Sequence, residues 1–156
     1  MIFKRELVLA NILTLAFFIL DRFFKKLALR GMTGKVFFIE FSEYQNPSIA
    51  LSISLRGPIL YILIAIVLYF VIFGLIKAYG SRDAGKILAF SMILVGAFSN
   101  ILDRIEHGAV IDYLNLPYLG ALNIADLAIL IGVIILLVRI VAARPRQLNR
   151  KPLTSG

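Results

Sequence analysis

The 156-residue sequence contains no cysteine. Disulfides, thiol catalysis and thiolate metal sites are therefore excluded, and the chain cannot itself be a cysteine-linked lipoprotein. It has a single histidine, His107, and no HExxH-type spacing. Zinc then has none of its usual ligand sets, and we expect neither a metal nor a cofactor. Acidic residues are scarce, nine against 17 Lys and Arg, for a net charge of +8. A surplus of that size can mark a nucleic-acid binder. No basic stripe with interleaved aromatics lies outside the apolar blocks, so no nucleic-acid partner is expected. There is no internal repeat, and the length is that of one domain.

Apolar residues are in excess. They make up 60% of the chain, with a mean hydropathy of +0.91, against about half in soluble proteins. The excess sits in long blocks, which predicts an integral membrane protein. Lys4 and Arg5 precede the apolar run Leu7 to Leu20. A signal peptide opens the same way, but here Asp21, Arg22 and two phenylalanines follow instead of a small-residue cleavage site. We read a retained first helix at about residues 5–27. Pro58 to Ile76 carries no charge and as a helix spans roughly 30 Å of hydrocarbon; Pro58 suits a first helical turn. The four spans are placed at about residues 5–27, 58–77, 86–105 and 123–141. A polar connection covers 78–86, the four-span membrane domain covers 1–143, and 144–156 form a basic tail that we expect to be disordered.

Residues 35–56 differ. Val, Ile, Phe and Ser alternate loosely with polar positions, which favours short strands and predicts a small β-like platform outside the membrane. Asn46-Pro47 signals a turn there. The fold class is thus an all-α membrane protein of four transmembrane helices with a small extracytoplasmic β-like platform. Four spans put both termini on one side. Ten Lys/Arg then stand with only Glu6 and Asp83 on that side, which the positive-inside tendency assigns to the cytoplasm. Asp21, the platform and residues 100–126 collect at the opposite, outer face.

Residues 96–126 hold four of the nine acids, Asp103, Glu106, Asp112 and Asp126. Polar groups at a bilayer edge are costly and suggest function. Asp112 falls in the loop between spans three and four and Asp126 at the start of span four, so the two can meet. Neighbouring carboxylates do not both ionise easily; one becomes an acid and the other a base. Such a pair can activate water against an amide carbonyl. Residue by residue, plainer readings stand beside this one. Asn123 to Asp126 has capping-box spacing, Asp112 can be a solvated loop acid, Asn46 a turn residue, and Asp103 and Arg104 interfacial charges. Asp21 and Lys25, spaced i, i+4, can form a local ion pair with Arg22, Lys25 and Lys26 snorkelling to headgroups, or Asp21 can point into the bundle. Serine–lysine chemistry also stays open, with Ser42, Ser48, Ser52 and Ser54 on the same side as Lys25 and Lys35. A proton-coupled transporter would need ionisable residues through the membrane midplane, and spans two and four have uncharged centres.

Taken together, the motifs narrow these alternatives. Asp21 with Lys25, Asn46, Gly96, Asn100-Ile101-Leu102-Asp103-Arg104, Gly108-Ala109-Val110-Ile111-Asp112-Tyr113 and Asn123-Ile124-Ala125-Asp126 occur in that order over about residues 5–143. In this the chain resembles the lipoprotein signal peptidases (signal peptidase II), four-span bacterial membrane aspartic peptidases. The resemblance implies Asp112 and Asp126 as the catalytic dyad, with Asp21, Lys25, Asn46, Gly96, Asn100, Arg104 and Asn123 supporting the site or the substrate. It implies cleavage just before the lipidated cysteine of a diacylglyceryl-modified prolipoprotein, in the bacterial cytoplasmic membrane, by a monomer. It also implies membrane lipids as neighbours, and inhibition by globomycin-type cyclic peptides. The chain departs from the family after Asn46, where Pro47-Ser48-Ile49-Ala50-Leu51-Ser52 replaces a more usual run of glycine, alanines and an aromatic. Tyr113 stands where phenylalanine is more usual, adding a hydroxyl that must find a partner or face water. A relative that kept the fold and lost catalysis, acting as a scaffold, is the remaining alternative, and the intact aspartate pair speaks against it.

Overall fold

The structure, a computed structural model, describes residues 2–47, 57–118 and 120–142. The second half of the expected platform, including the altered 48–52 run and Ser48, Ser52 and Ser54, lies outside the described residues, as does the basic tail.

Four helices are long and apolar enough to cross a membrane. α1 (Ile2–Leu29) and α2 (Pro58–Gly80) are followed by α3 (Ala84–His107) and α4 (Ile124–Ala142). α1 and α3 run two or three residues past both expected ends, α2 starts as expected at Pro58 and runs on to Gly80, α4 lies within one residue of expectation at each end, and the 78–86 connection shrinks to Ser81–Asp83. Local chemistry sets the boundaries. Pro58 occupies the first turn of α2, where its missing N–H costs nothing. The Asp83 side chain accepts from the Lys86 backbone N–H at 3.1 Å and caps α3. Gly108, at φ 75°, closes α3 in the left-handed conformation that glycine adopts without strain.

α3 is the most buried of the four helices, and the other three bury little. Of the α2 side chains only Leu60, Val71 and Ala78 are buried; the rest of its apolar surface faces outward, as suits a lipid solvent. Close approach depends on small residues instead. α3 and α4 make the most extensive helix contact, with Gly96 against the Ala125 carbonyl and Gly132 against that of Ala89.

Four strands form one antiparallel sheet in the order β1 (Gly34–Val36), β2 (Ile39–Asn46), β3 (Val110–Leu116), β4 (Gly120–Leu122). The described part of the platform expected over 35–56 therefore belongs to a larger sheet, completed by β3 and β4. The segment after α3, read as a loop, is strand β3, and Asp112 sits on it rather than in a solvated loop. Val110 to Tyr113 are buried, because β3 lies between β2 and β4 and packs against α3 and α1. Asn46 likewise ends β2, paired with Val110, and Pro47 then stops the strand. A bulge between Phe41 and Tyr44 gives β2 one extra residue against β3, and the Asn115 amide stitches it by donating to the Ser42 carbonyl and hydroxyl at 3.2 and 2.8 Å. Beyond the bulge, Tyr44 pairs Asp112 and Asn46 pairs Val110. Residues 46 and 112 are thus diagonal neighbours on one face.

Candidate active site

The most completely buried polar groups, Asp21, Lys25, Ser99, Asp103, Asp112 and Asn123, lie where the helix ends meet β3. Asn123 caps α4 with the expected reciprocal geometry. Its Oδ1 accepts from the Asp126 N–H at 2.8 Å, and the Asp126 carboxylate accepts from the Asn123 N–H at 3.3 Å. The Asn123 amide donates to Asp112 Oδ1 at 2.6 Å and reaches the Asn100 Oδ1 at 3.2 Å. One residue thereby connects both carboxylates. Capping fixes Asp126 without hiding its carboxylate, whose other oxygen accepts from the Asn100 amide at 2.8 Å. Asp112 Oδ2 accepts from the Asn46 amide at 3.0 Å. Asn46 is thus a direct partner of Asp112 from across the sheet.

Beneath these lies an ionic cluster. Asp21 and Lys25 are both buried and 2.9 Å apart, so Asp21 points into the bundle and Lys25 does not snorkel. The α1–α3 contact explains this: Lys25 Nζ also lies 2.6 Å from Asp103 and donates to Asn100 Oδ1 at 2.9 Å. That bond fixes which way the Asn100 amide faces, turning its NH2 toward Asp126. Nor is Asp103 an interfacial charge. It is fully buried, accepts from the Ile111 N–H at 3.1 Å, and holds Arg22 at 2.5 Å. Arg22 reaches on to Glu106 at 3.0 Å, so it is engaged with α3 instead of headgroups. The Arg104 guanidinium donates to the Asn100 carbonyl.

Sequence reasoning did not single out Ser99. Its hydroxyl donates to Asp21 at 2.6 Å, and its i, i+4 spacing to Asp103 was the available signal. Of the serines weighed for serine–lysine chemistry, Ser42 is the described one and serves the bulge; Lys25 instead reaches Ser99, whose hydroxyl is given to Asp21 while Lys25 is ion-paired with Asp21 and Asp103. The Tyr113 hydroxyl is satisfied rather than wet. It donates to Asp21 at 3.0 Å and accepts from the Ile124 N–H at 3.0 Å. Burial, and then the charge of Asp21, raise the phenol pKa far above its ordinary value and keep it protonated.

Burial also pushes the Asp112 carboxyl up to about 7, with the Asn46 amide pulling against the rise and the charge of Asp126 adding to it. A carboxyl that titrates near neutrality beside a second carboxylate can give and take a proton at working pH. The pair titrates as a unit.

Residues 13–142 match the family described as signal peptidase (SPase) II. A lipoprotein signal peptidase of Wigglesworthia glossinidia brevipalpis is 30% identical over 139 residues, covering 82% of this chain and 91% of that protein. One of Buchnera aphidicola subsp. Schizaphis graminum is 35% identical over 80 residues, covering 49% of this chain and 51% of that protein. A bacterial membrane enzyme determined in meso at 2.3 Å resolution has the same fold, with a TM-score of 0.76 at 22% identity over 91% of this chain and 93% of that one.

Proposed function

The chain belongs to the signal peptidase II family, and from that membership we propose that it is the membrane aspartic peptidase that removes signal peptides from prolipoproteins, with Asp112 and Asp126 as its catalytic pair. The observation that carries the assignment is the shared Asn123, whose amide holds Asp112 while its backbone and Oδ1 hold Asp126. The helix cap and the β3 strand thus aim two carboxylates at one space.

In this reading Asp112 carries the proton and Asp126 is the base. Asp126 takes a proton from a water whose oxygen attacks the scissile carbonyl, while Asp112 protonates the developing oxyanion; the C–N bond of the resulting gem-diol then breaks as Asp126 passes its proton to the leaving nitrogen and Asp112 takes one back from a diol hydroxyl. Asn46 and Asn100 hold the two carboxylates in register, and Asp21, Lys25 and Gly96 support them from below. Arg104, which donates to the Asn100 carbonyl, takes the role of meeting the substrate. Proton transfer runs through the two carboxylates.

The substrate is a prolipoprotein already carrying diacylglycerol, cut just before the lipidated cysteine. The outward apolar faces of the spans suit a lipid-borne substrate and neighbouring lipids. The same apolar faces would take globomycin-type cyclic peptides. The ten Lys/Arg on the terminal side favour cytoplasmic termini and a site at the outer face of the cytoplasmic membrane. The working unit is a monomer made of residues 1–143, with 144–156 as a basic cytoplasmic tail.

The test is incubation of the purified protein in micelles with a diacylglyceryl-modified prolipoprotein. A size shift that places the new N-terminus at the lipidated cysteine is expected. An intact precursor, or equal cleavage of the unlipidated form, would refute the reading.

A further inference from the structure

The start of an α-helix leaves four backbone N–H groups without intrahelical partners. In α4 each has its own acceptor. The Asn123 N–H donates to the Asp126 carboxylate, the Ile124 N–H to the Tyr113 hydroxyl at 3.0 Å, the Ala125 N–H to Asp21 Oδ1 at 3.0 Å, and the Asp126 N–H to Asn123 Oδ1. Two of the four acceptors belong to α4 and its cap, and those bonds travel with the helix if it shifts. The other two, Tyr113 and Asp21, come from β3 and α1 and tie the helix start to the rest of the protein.

Of these two, Tyr113 has the closer link to the site. It follows Asp112 directly on β3, so one strand delivers a carboxylate to the site and a hydroxyl to the helix bearing Asp126. Its ring is fully buried, 5.8 Å from that of Phe24 and 5.6 Å from that of Phe41. The hydroxyl also donates to Asp21, joining the two external acceptors. We infer that Tyr113 is a positioning residue for the proposed reaction, its hydroxyl setting the distance between Asp112 and Asp126 by tying β3 to the first turn of α4. The inference rests on Asp112 and Asp126 being the reacting pair.

Tyr113→Phe keeps the ring and its stacking and removes the hydroxyl's two bonds, the tie to the Ile124 N–H and the bond to Asp21. The expected result is a kcat lower by about three- to tenfold, the scale of one hydrogen bond lost from a buried donor, with KM unchanged, because nothing that would bind substrate is altered. The Ile124 amide should exchange its hydrogen faster, measured on the same protein in micelles without substrate. An unchanged kcat, a KM that rises in step with the fall in kcat, or an Ile124 amide as protected as before would each overturn the inference. If the wild-type chain fails to cleave a lipidated precursor, the activity reading fails by itself, and the Ile124 exchange alone decides whether the hydroxyl holds the helix start.

Discussion

Replacing Gly96 with alanine tests how tightly the site depends on the α3–α4 crossing. A methyl built on Gly96 meets the Ala125 carbonyl oxygen, and lies 2.8 Å from Ile129 Cγ1. Ordinary carbon contact begins at about 3.5 Å, so Ile129 alone must give by roughly 0.7 Å. Its side chain can rotate, but the Ala125 carbonyl is backbone, and α4 has to move by about 1 Å. Ala125 immediately precedes Asp126, so the displacement falls on the proposed base. A misplacement of about 1 Å can cost about 100-fold in rate, and overpacking costs about 1–3 kcal/mol of stability. Gly132→Ala is the matched control. Its methyl would meet the Ala89 carbonyl at 2.5 Å and Ile93 Cγ1 at 2.7 Å, an equal packing insult about 10 Å further along α4. Thermal unfolding in micelles should show similar losses for both variants. Cleavage of a lipidated precursor should fall about 100-fold for Gly96→Ala and only a few-fold for Gly132→Ala. Equal activity in the two variants would refute the claim that this crossing sets the position of Asp126.

Activity should fall as pH rises through about 7, because Asp112 then loses the proton it is required to donate. Asn46→Ala removes a bond that favours the ionised form, so the alkaline limb should move to higher pH, which a pH–rate profile would register. Lys25→Met leaves Asp21 and Asp103 buried without their shared cation; a loss of about 3–5 kcal/mol is expected in unfolding measurements, and wild-type stability would contradict it. Asp83→Ala removes the α3 cap and should cost about 1 kcal/mol while leaving kcat unchanged, since it lies at the opposite end of the helix from Asn100.

The spans were legible because an uncharged run of bilayer length has few other readings, and the Asn123 to Asp126 spacing correctly announced a capping box. The cap and a catalytic role for Asp126 are compatible, since capping occupies one carboxylate oxygen from below and orients the other. What the sequence did not reveal depends on distant pairing. Val110 to Leu116 reads as loop until β2, more than 60 residues earlier in the chain, supplies its partner. Asp21 and Lys25 have the same i, i+4 spacing whether they face headgroups or the bundle, and only the contact with Ser99, Asn100 and Asp103 decides. The Tyr113 hydroxyl likewise has one partner at the start of α4 and the other 92 residues earlier in the chain, at Asp21 on α1.

The central claim, that Asp112 and Asp126 act as one catalytic pair, is tested most directly by purifying Asp112→Asn, Asp126→Asn and the double variant in micelles. Each would be assayed against a diacylglyceryl-modified prolipoprotein beside the wild-type chain. Asparagine keeps the shape of the side chain and removes its acid–base function. The account predicts that all three variants remain folded and that each single variant loses cleavage as completely as the double. Cleavage retained by either single variant would contradict it.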